Sequence, residues 1–202
     1  RHSLLAVDAD AYLAAENKEA VARDFYNDTF LTDQNACTSP RAVIWLGREK
    51  GKAKKEFWER AHAFASEKYT LEPVQAVGKL AAFHKAAAAL PVRLEKSPDT
   101  LITRVKVRTL TPELADYKYN SGFFFEYDAQ SLSEIAPLCG KKCQTLTYFG
   151  LSEETLEAFM TDARPKGLDR AVPMGKSMDF TLVWDGYDLI RELSRKFSVL
   201  KG

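Results

Sequence analysis

The sequence has few cysteines, no long hydrophobic run and almost no net charge, and each shortage excludes a class of protein. Three widely spaced cysteines in 202 residues do not form the disulfide framework of a small secreted domain. No apolar run approaches the roughly 18–20 residues that a membrane span needs. With 29 basic and 28 acidic residues the net charge is +1, which gives no support to a nucleic-acid or anionic-membrane partner.

The glycine-rich motifs that cradle nucleotide phosphates are missing too. Neither G-x-G-x-x-G nor G-x-x-x-x-G-K-[ST] occurs, so we expect no dinucleotide fingerprint or Walker loop within residues 1–202. The first residues lack the basic start and long apolar core of a signal peptide. A cytoplasmic setting is therefore expected. Because residue 1 is Arg, we also expect a chain that has been processed or that is a portion of a longer protein.

What is present is the composition of a globular domain, with 46% apolar and 28% charged residues. Short apolar runs alternate with amphipathic segments along the whole chain. The alternation predicts an α/β fold, a layered and mostly parallel sheet with flanking helices. Strands are expected at 3–7, 41–46, 100–107, 122–127 and 144–149, with 168–172 extended, and helices at 18–30, 52–68, after Pro73, from the capping box at 131–134, after Ser152 and at 187–197.

Cys37 is the strongest candidate for a catalytic group. It lies in the polar segment Asp33-Gln-Asn-Ala-Cys-Thr-Ser-Pro40, which is predicted to be a loop between a helix and a strand. Loops held by rigid elements often carry catalytic side chains, and a thiolate is a suitable nucleophile for acyl transfer. The alternative is a buried cysteine that acts as a small apolar residue, which is the commonest fate of a free cysteine.

Other residue types give weaker signals. His62 and His84 lie on predicted helices, where a surface or core-edge role is expected before a general base. Cys139 and Cys143 could form half of a metal site, but no second pair accompanies them. The aromatic block at 123–125 is predicted to be a buried strand, with the lining of an apolar channel as the alternative.

Several segments, taken in order, resemble the aldehyde dehydrogenase superfamily, and within it most closely the LuxC-type acyl-CoA reductases. The apolar strand ending in acidic residues, the following helix and the cysteine loop resemble the superfamily's catalytic domain. Later blocks resemble the reductases. The matching segments are 3–10, 33–41, 120–127, 143–150, 167–180 and 184–190.

The resemblance implies a catalytic domain that covers residues 1–202, preceded in the full-length protein by a cofactor-binding domain. It implies that Cys37 accepts an acyl group from acyl-CoA or another activated fatty acyl donor. Hydride from NADPH would then reduce the thioester to a fatty aldehyde. The backbone N–H of the cysteine would help to stabilise the charge that develops on the carbonyl oxygen.

For the cofactor, the resemblance suggests Glu134, Gln144 and Thr145 as contacts, and the capping box explains Glu134 equally well. An acyl-activating synthetase and further copies of the chain are the expected protein partners. Two alternatives stay open. One is an aldehyde dehydrogenase acting oxidatively, which needs a glutamate base that the sequence does not place. The other is a non-catalytic interaction domain that retains the fold.

Overall fold

A computed structural model describes residues 1–200 and shows nine strands and six α-helices in that range. The strands are β1 (His2–Asp8), β2 (Pro40–Leu46), β3 (Val92–Leu94), β4 (Thr103–Val107), β5 (Phe123–Asp128), β6 (Cys143–Phe149), β7 (Arg170–Pro173), β8 (Val183–Trp184) and β9 (Tyr187–Asp188). The helices are α1 (Ala9–Ala14), α2 (Lys18–Asp28), α3 (Lys50–Lys68), α4 (Pro73–Ala89), α5 (Glu153–Ala163) and α6 (Leu189–Glu192). Three 3₁₀ helices cover Phe30–Thr32, Pro112–Tyr117 and Leu132–Leu138.

Seven strands form one sheet in the order β3-β4-β5-β2-β1-β6-β7. Every pairing in it is parallel except that of the short edge strand β3 with β4. β8 and β9 form a separate two-stranded hairpin. The predicted fold class, a layered and mostly parallel α/β sheet with flanking helices, is confirmed. None of the helices in residues 1–200 is both long and apolar enough to cross a bilayer.

The sheet is covered on both faces, which explains its nearly continuous apolar strands. Side chains alternate between faces along a strand, so Leu4 and Ala6 of β1 enter one core while Leu5 and Val7 enter the other. The first core also holds Ala86 of α4 and Phe159 of α5. The second core lies against α1, α2 and α3.

The second core is built largely from aromatic side chains. The ring of Phe57 lies edge-on to that of Trp45, with centroids 5.3 Å apart, and edge-on to that of Trp58, with centroids 5.1 Å apart. Both indole N–H groups donate to Glu126 Oε1 at 2.8 Å, and Glu126 is itself buried. Phe124 packs against the same group, so the prediction that the block at 123–125 is a buried strand is confirmed.

Several features differ from the expectation. The periodic segment at 187–197 is helical only over Leu189–Glu192, and its apolar side chains are exposed because no core lies beside them. The helix α1 was not expected, yet Asp8 caps it by accepting from the backbone N–H of Ala11 at 2.8 Å. The edge strand β3 was not expected either. The capping box at 131–134 is present, but it opens a 3₁₀ helix.

Lys79 joins α4 to the segments that precede β4 and β5. Only 1% of its surface is exposed, and its ammonium donates to the carbonyl oxygens of Thr100, Leu101 and Ser121. The distances to the latter two are 3.1 and 2.8 Å. Burial lowers the pKa of Lys79 to about 8. The contact fixes the turn from which β5 begins.

We predict that the stabilising effect of Lys79 depends on pH. Below about pH 8 the amine is charged in the folded and the unfolded chain, so the full cost of burying the charge is present. Between about pH 8 and pH 10.5 the unfolded chain holds the proton more tightly, so wild-type stability rises relative to Lys79→Met. Between pH 7.5 and pH 10 the expected rise is about 2 kcal/mol. Urea unfolding of both proteins at pH 7.5 and pH 10 measures it, and a pH-independent difference would contradict it.

Candidate functional site

Cys37 lies in the loop between the first 3₁₀ helix and β2, at the amino edge of the sheet. Its side chain is exposed, so the alternative that it is a buried apolar residue is wrong. The loop prediction for 32–40 is confirmed, with Phe30–Thr32 as a 3₁₀ helix at its start and β2 from Pro40. At this edge β1 pairs with the first residue of β2 on one side and with the first residue of β6 on the other.

Backbone conformation and side-chain hydrogen bonds hold this loop. Asp33 and Gln34 both have positive φ, 51° and 56°, a conformation that needs support in non-glycine residues. The Asp33 carboxylate accepts from the Tyr69 hydroxyl and, at 3.3 Å, from the side-chain amide of Gln75. At the other end, the Ser3 hydroxyl donates to the carbonyl oxygen of Cys37 at 2.8 Å.

Arg170 brings a positive charge to the part of the sheet edge where the cysteine loop lies. Its guanidinium donates to the carbonyl oxygens of Ser177 and Asp179 and, through Nε at 3.4 Å, to Thr145 Oγ1. The guanidinium carbon also lies 4.1 Å from the ring centroid of Trp184. Burial lowers the pKa of Arg170, and nearby negative groups, which include a Cys37 thiolate, act in the opposite direction. Arg170 is therefore a fixed cation within electrostatic reach of Cys37.

The turn after β7 packs beside the cysteine loop. Asp28, buried at the end of α2, accepts from the backbone N–H groups of Gly175 at 2.6 Å and Ser177 at 3.0 Å. Burial raises the pKa of Asp28 despite these hydrogen bonds. Thr38 Oγ1 donates to Met178 Sδ at 3.2 Å. The segments from α2, the cysteine loop and the chain beyond β7 are thus tied together at one edge.

Two of the three residues suggested for cofactor contact lie at this edge, at the start of β6. The backbone N–H of Thr145 donates to the hydroxyl of Ser3, which in turn holds Cys37. Gln144 donates from its side chain to Asp185, while its Oε1 is buried with no hydrogen-bond partner among the described residues. An unpaired buried acceptor is a feature that a ligand donor could satisfy. Cofactor contact at Gln144 and Thr145 stays a prediction.

Glu134 lies elsewhere. Its carboxylate accepts from the Tyr127 hydroxyl at 2.6 Å and from the backbone N–H groups of Gln130 and Ser131, so the capping-box interpretation is confirmed. These bonds, the Tyr127 one first, lower the pKa of Glu134. Tyr127 is at the carboxyl end of β5, whereas the cysteine loop contacts Phe123 at its amino end. The structure does not bring Glu134 to Cys37.

The other two cysteines and the two helical histidines do not join the site. Cys139 and Cys143 are buried, and a hydrogen bond between their thiols together with burial raises the pKa of Cys143. His62 Nε2 pairs with Asp99 at 2.9 Å on the far part of α3, and His84 lies beside the ring of Phe83. Across residues 1–200, no three His, Cys, Asp or Glu side chains gather as metal ligands would.

Sequence reasoning missed three residues that shape the site: Ser3, Gln34 and Arg170. Ser3 directly precedes the apolar run at 4–7 of β1, and a hydroxyl at the start of a buried strand is a usable signal for a polar role at the strand end. Gln34 and Arg170 carry no such signal, since their contacts are made with residues distant in sequence.

No known family model matches the sequence, and no curated protein sequence matches it. Solved structures do match the fold. The Delta-pyrroline-5-carboxylate dehydrogenase of Mycobacterium tuberculosis, bound with NAD and cobalamin, matches with a TM-score of 0.54 at 11% identity, over 85% of this chain and 35% of that one. The methylmalonate-semialdehyde dehydrogenase of Oceanimonas doudoroffii matches with a TM-score of 0.54 at 9% identity, over 87% and 39%.

A third match is aldehyde dehydrogenase 21 of Physcomitrella patens, in complex with the reaction product succinate. Its TM-score is 0.53 at 12% identity, over 85% of this chain and 38% of that one. At such identities the likeness shows the fold alone, an aldehyde dehydrogenase-like layered α/β fold. The chain spans little more than a third of the length of these three proteins.

We predict that the three thiols differ sharply in reactivity. Brief treatment of the native chain with iodoacetamide should add one carbamidomethyl group, at Cys37, because Cys139 and Cys143 are shielded from the reagent. The measurement is peptide mass spectrometry of labelled native and urea-unfolded chains, with Cys37→Ala as the control that should remain unlabelled until it unfolds. Equally fast native labelling of Cys139 or Cys143 would contradict the described burial.

Proposed function

We propose that this chain is the cysteine-bearing catalytic domain of an acyl-CoA reductase of the LuxC type. The Cys37 thiolate attacks the thioester carbonyl of a fatty acyl-CoA, which forms an acyl-cysteine thioester and releases CoA as its thiolate. Transfer of a hydride and a proton then releases a fatty aldehyde and restores the thiol. The observation that carries the proposal is the exposed thiol of Cys37 at the amino edge of an aldehyde dehydrogenase-like sheet.

The groups around Cys37 suit acyl transfer. Arg170 places a positive charge within electrostatic reach of Cys37, and its contacts with Ser177, Asp179 and Trp184 hold it in place. Among the described residues, the backbone N–H of Cys37 has no hydrogen-bond partner, so it is free to donate to the oxygen on which charge develops.

NADPH would supply the hydride when bound. The Oε1 atom of Gln144, buried and without a partner, fits a contact with a cofactor donor at the start of β6. Because residues 1–202 contain no glycine-rich dinucleotide motif, the proposal assigns most of the cofactor binding to a separate domain. The acyl donor would come from acyl-CoA or from an acyl-activating synthetase.

The second candidate is an aldehyde dehydrogenase that works oxidatively. Its support is that the matching solved structures are named as dehydrogenases. Both activities pass through a thioester at Cys37, and they differ in its fate. The oxidative enzyme must hydrolyse the thioester, whereas the reductase must protect it from water until hydride arrives.

Acylation of Cys37 tests the proposal. Incubation with a long-chain acyl-CoA should raise the intact mass of the chain by one acyl group, and Cys37→Ala should abolish the gain. Cys139→Ala is the matched control and should acylate as the wild type does, because its thiol is buried. Equal labelling of wild type and Cys37→Ala would sink the proposal.

The lifetime of the thioester separates the two candidates. After excess acyl-CoA is removed, a reductase should retain the acyl group for many minutes in buffer, while an oxidative enzyme should lose it by hydrolysis within its turnover time. Intact mass against time measures the decay. A wild-type chain that never acylates would favour an interaction domain that retains the fold.

A further inference from the structure

We infer that Gln34 and Ser3 are positioning residues that hold Cys37 from two sides. The inference rests on the proposed function, in which Cys37 is the nucleophile. Neither side chain touches the thiol. Gln34 fixes the start of the cysteine loop, and Ser3 fixes the carbonyl group of Cys37 itself. Together they determine where the sulfur lies relative to the strand ends.

The side chain of Gln34 uses all of its ordinary hydrogen-bonding capacity. It is fully buried, and its Nε2 donates to the carbonyl oxygens of Pro40 at 2.9 Å and Phe123 at 3.0 Å. Its Oε1 accepts from the backbone N–H groups of Gly122 at 3.0 Å and Phe123 at 3.1 Å. An amide offers two donors and two acceptor lone pairs, and here each is satisfied by backbone.

These four bonds join three parts of the chain. Pro40 begins β2 and Phe123 begins β5, and the ladder between these strands begins two residues further on, at Ala42 and Phe125. The side-chain amide of Gln34 therefore lies just beyond the last backbone pair of these two strands. There it provides the hydrogen bonds that a neighbouring strand would otherwise make. These bonds attach the cysteine loop to the amino ends of β2 and β5.

The backbone around Gln34 depends on this attachment. The positive φ of Asp33 and Gln34 is unfavourable for L-residues and persists only where the surroundings impose it. Gly122 is shaped for the same contact. Its φ is +82°, and a Cβ atom there would lie 2.5 Å from the carbonyl oxygen of Leu101. Only glycine allows the backbone to present this N–H to Gln34 without displacement.

Ser3 acts from the opposite side of Cys37. Its hydroxyl donates to the Cys37 carbonyl at 2.8 Å and accepts from the backbone N–H of Thr145 at 3.2 Å. The pairing of β1 with both neighbours shifts register next to Ser3. Such an irregularity leaves ladder groups unpaired and redirects a side chain, and bulges are common beside active sites. The Ser3 hydroxyl satisfies one such group, the backbone N–H of Thr145, and also binds the carbonyl oxygen of Cys37 in the loop.

The consequence is a thiol with little freedom. Two residues separate Gln34 from Cys37, and both ends of this short stretch are fixed to the sheet. Rotation of the cysteine side chain is the main motion left to the sulfur. Reaction with a bound thioester needs the two reacting atoms within about 3–3.5 Å in an aligned geometry, and displacement by about 1 Å can lower the rate by about a hundredfold.

The test compares two reactions of the same thiol. Gln34→Met keeps the length of the side chain and removes all four hydrogen bonds, and Ser3→Ala removes the second anchor. We expect acylation by a long-chain acyl-CoA to slow by about a hundredfold in Gln34→Met and by about tenfold in Ser3→Ala. Alkylation by iodoacetamide, which needs only an accessible thiolate, should change by less than about threefold in each.

Gln130→Met is the matched control. Gln130 is exposed and lies beyond the carboxyl end of β5, away from the cysteine loop, so acylation should stay near the wild-type rate. Circular dichroism and thermal unfolding check that each variant is folded, and Ser3→Ala decides the matter if Gln34→Met does not fold. Hydrogen exchange should rise at amides 33–38 in both positioning variants.

The outcomes are distinguishable. If the wild type acylates and both folded variants acylate at its rate, the inference is overturned and the proposed function stands. If acylation and alkylation fall together, the side chains act on the thiol's exposure or ionisation and not on its position, which also overturns the inference. If the wild type does not acylate at Cys37, the proposed function fails, and the positioning role fails with it.

Discussion

The position of β1 in the sheet constrains everything else at the site. β1 pairs in parallel with β2 on one side and with β6 on the other, and both of its faces are buried. Parallel pairing brings the amino ends of three strands to one edge, although β6 begins more than a hundred residues after β1 ends. Thr145, Ser3 and the cysteine loop meet there for that reason.

Burial on both faces makes the strand ends the main place where polar groups gather. Strands with apolar side chains on both sides cannot hold a reactive polar cluster, so such a cluster lies at the strand ends. Backbone groups at those ends no longer have ladder partners, and side chains must satisfy them. Gln34, Ser3 and Asp28 do this with backbone groups that lie beside the thiol loop. The hydrogen bonds that satisfy the backbone at the sheet edge therefore also fix the shape of the cysteine loop.

The sequence predicted the central strands and the long helices because local pattern decides them. The apolar runs of β1 and β2 and the stripe of α3 are buried wherever the sheet forms, so their periodicity was enough. The segment at 187–197 has a similar periodicity but no core beside it, and Leu193 and Phe197 are exposed. Helical spacing indicates an apolar face, and only packing decides whether that face forms a long helix.

The candidate site was predictable only in its local part. Polar neighbours on both sides of Cys37 indicated an exposed loop, and the thiol is exposed. The partners of Gln34 are up to 89 residues away, and those of Ser3 are 34 and 142 residues away. No spacing rule connects such positions, since the connection is made by the order of the strands. The order of the strands also explains the position of Glu134. It is only nine residues before Cys143, which begins β6, yet it lies at the carboxyl end of β5, whereas the cysteine loop lies at the amino end.

The groups that position Cys37 and the cation near it come from different parts of the chain. The loop is held by β1, β2 and β5, while the nearby cation comes from β7 and is held by the turn that follows. Arg170 keeps its orientation through carbonyl contacts and the Trp184 ring, so its charge is held in one place. In the proposed acyl transfer, a charge that is already in place would need no reorganisation. The Asp28 contacts have two effects. They fix the turn after β7, and because this turn carries the Ser177 carbonyl they also fix Arg170.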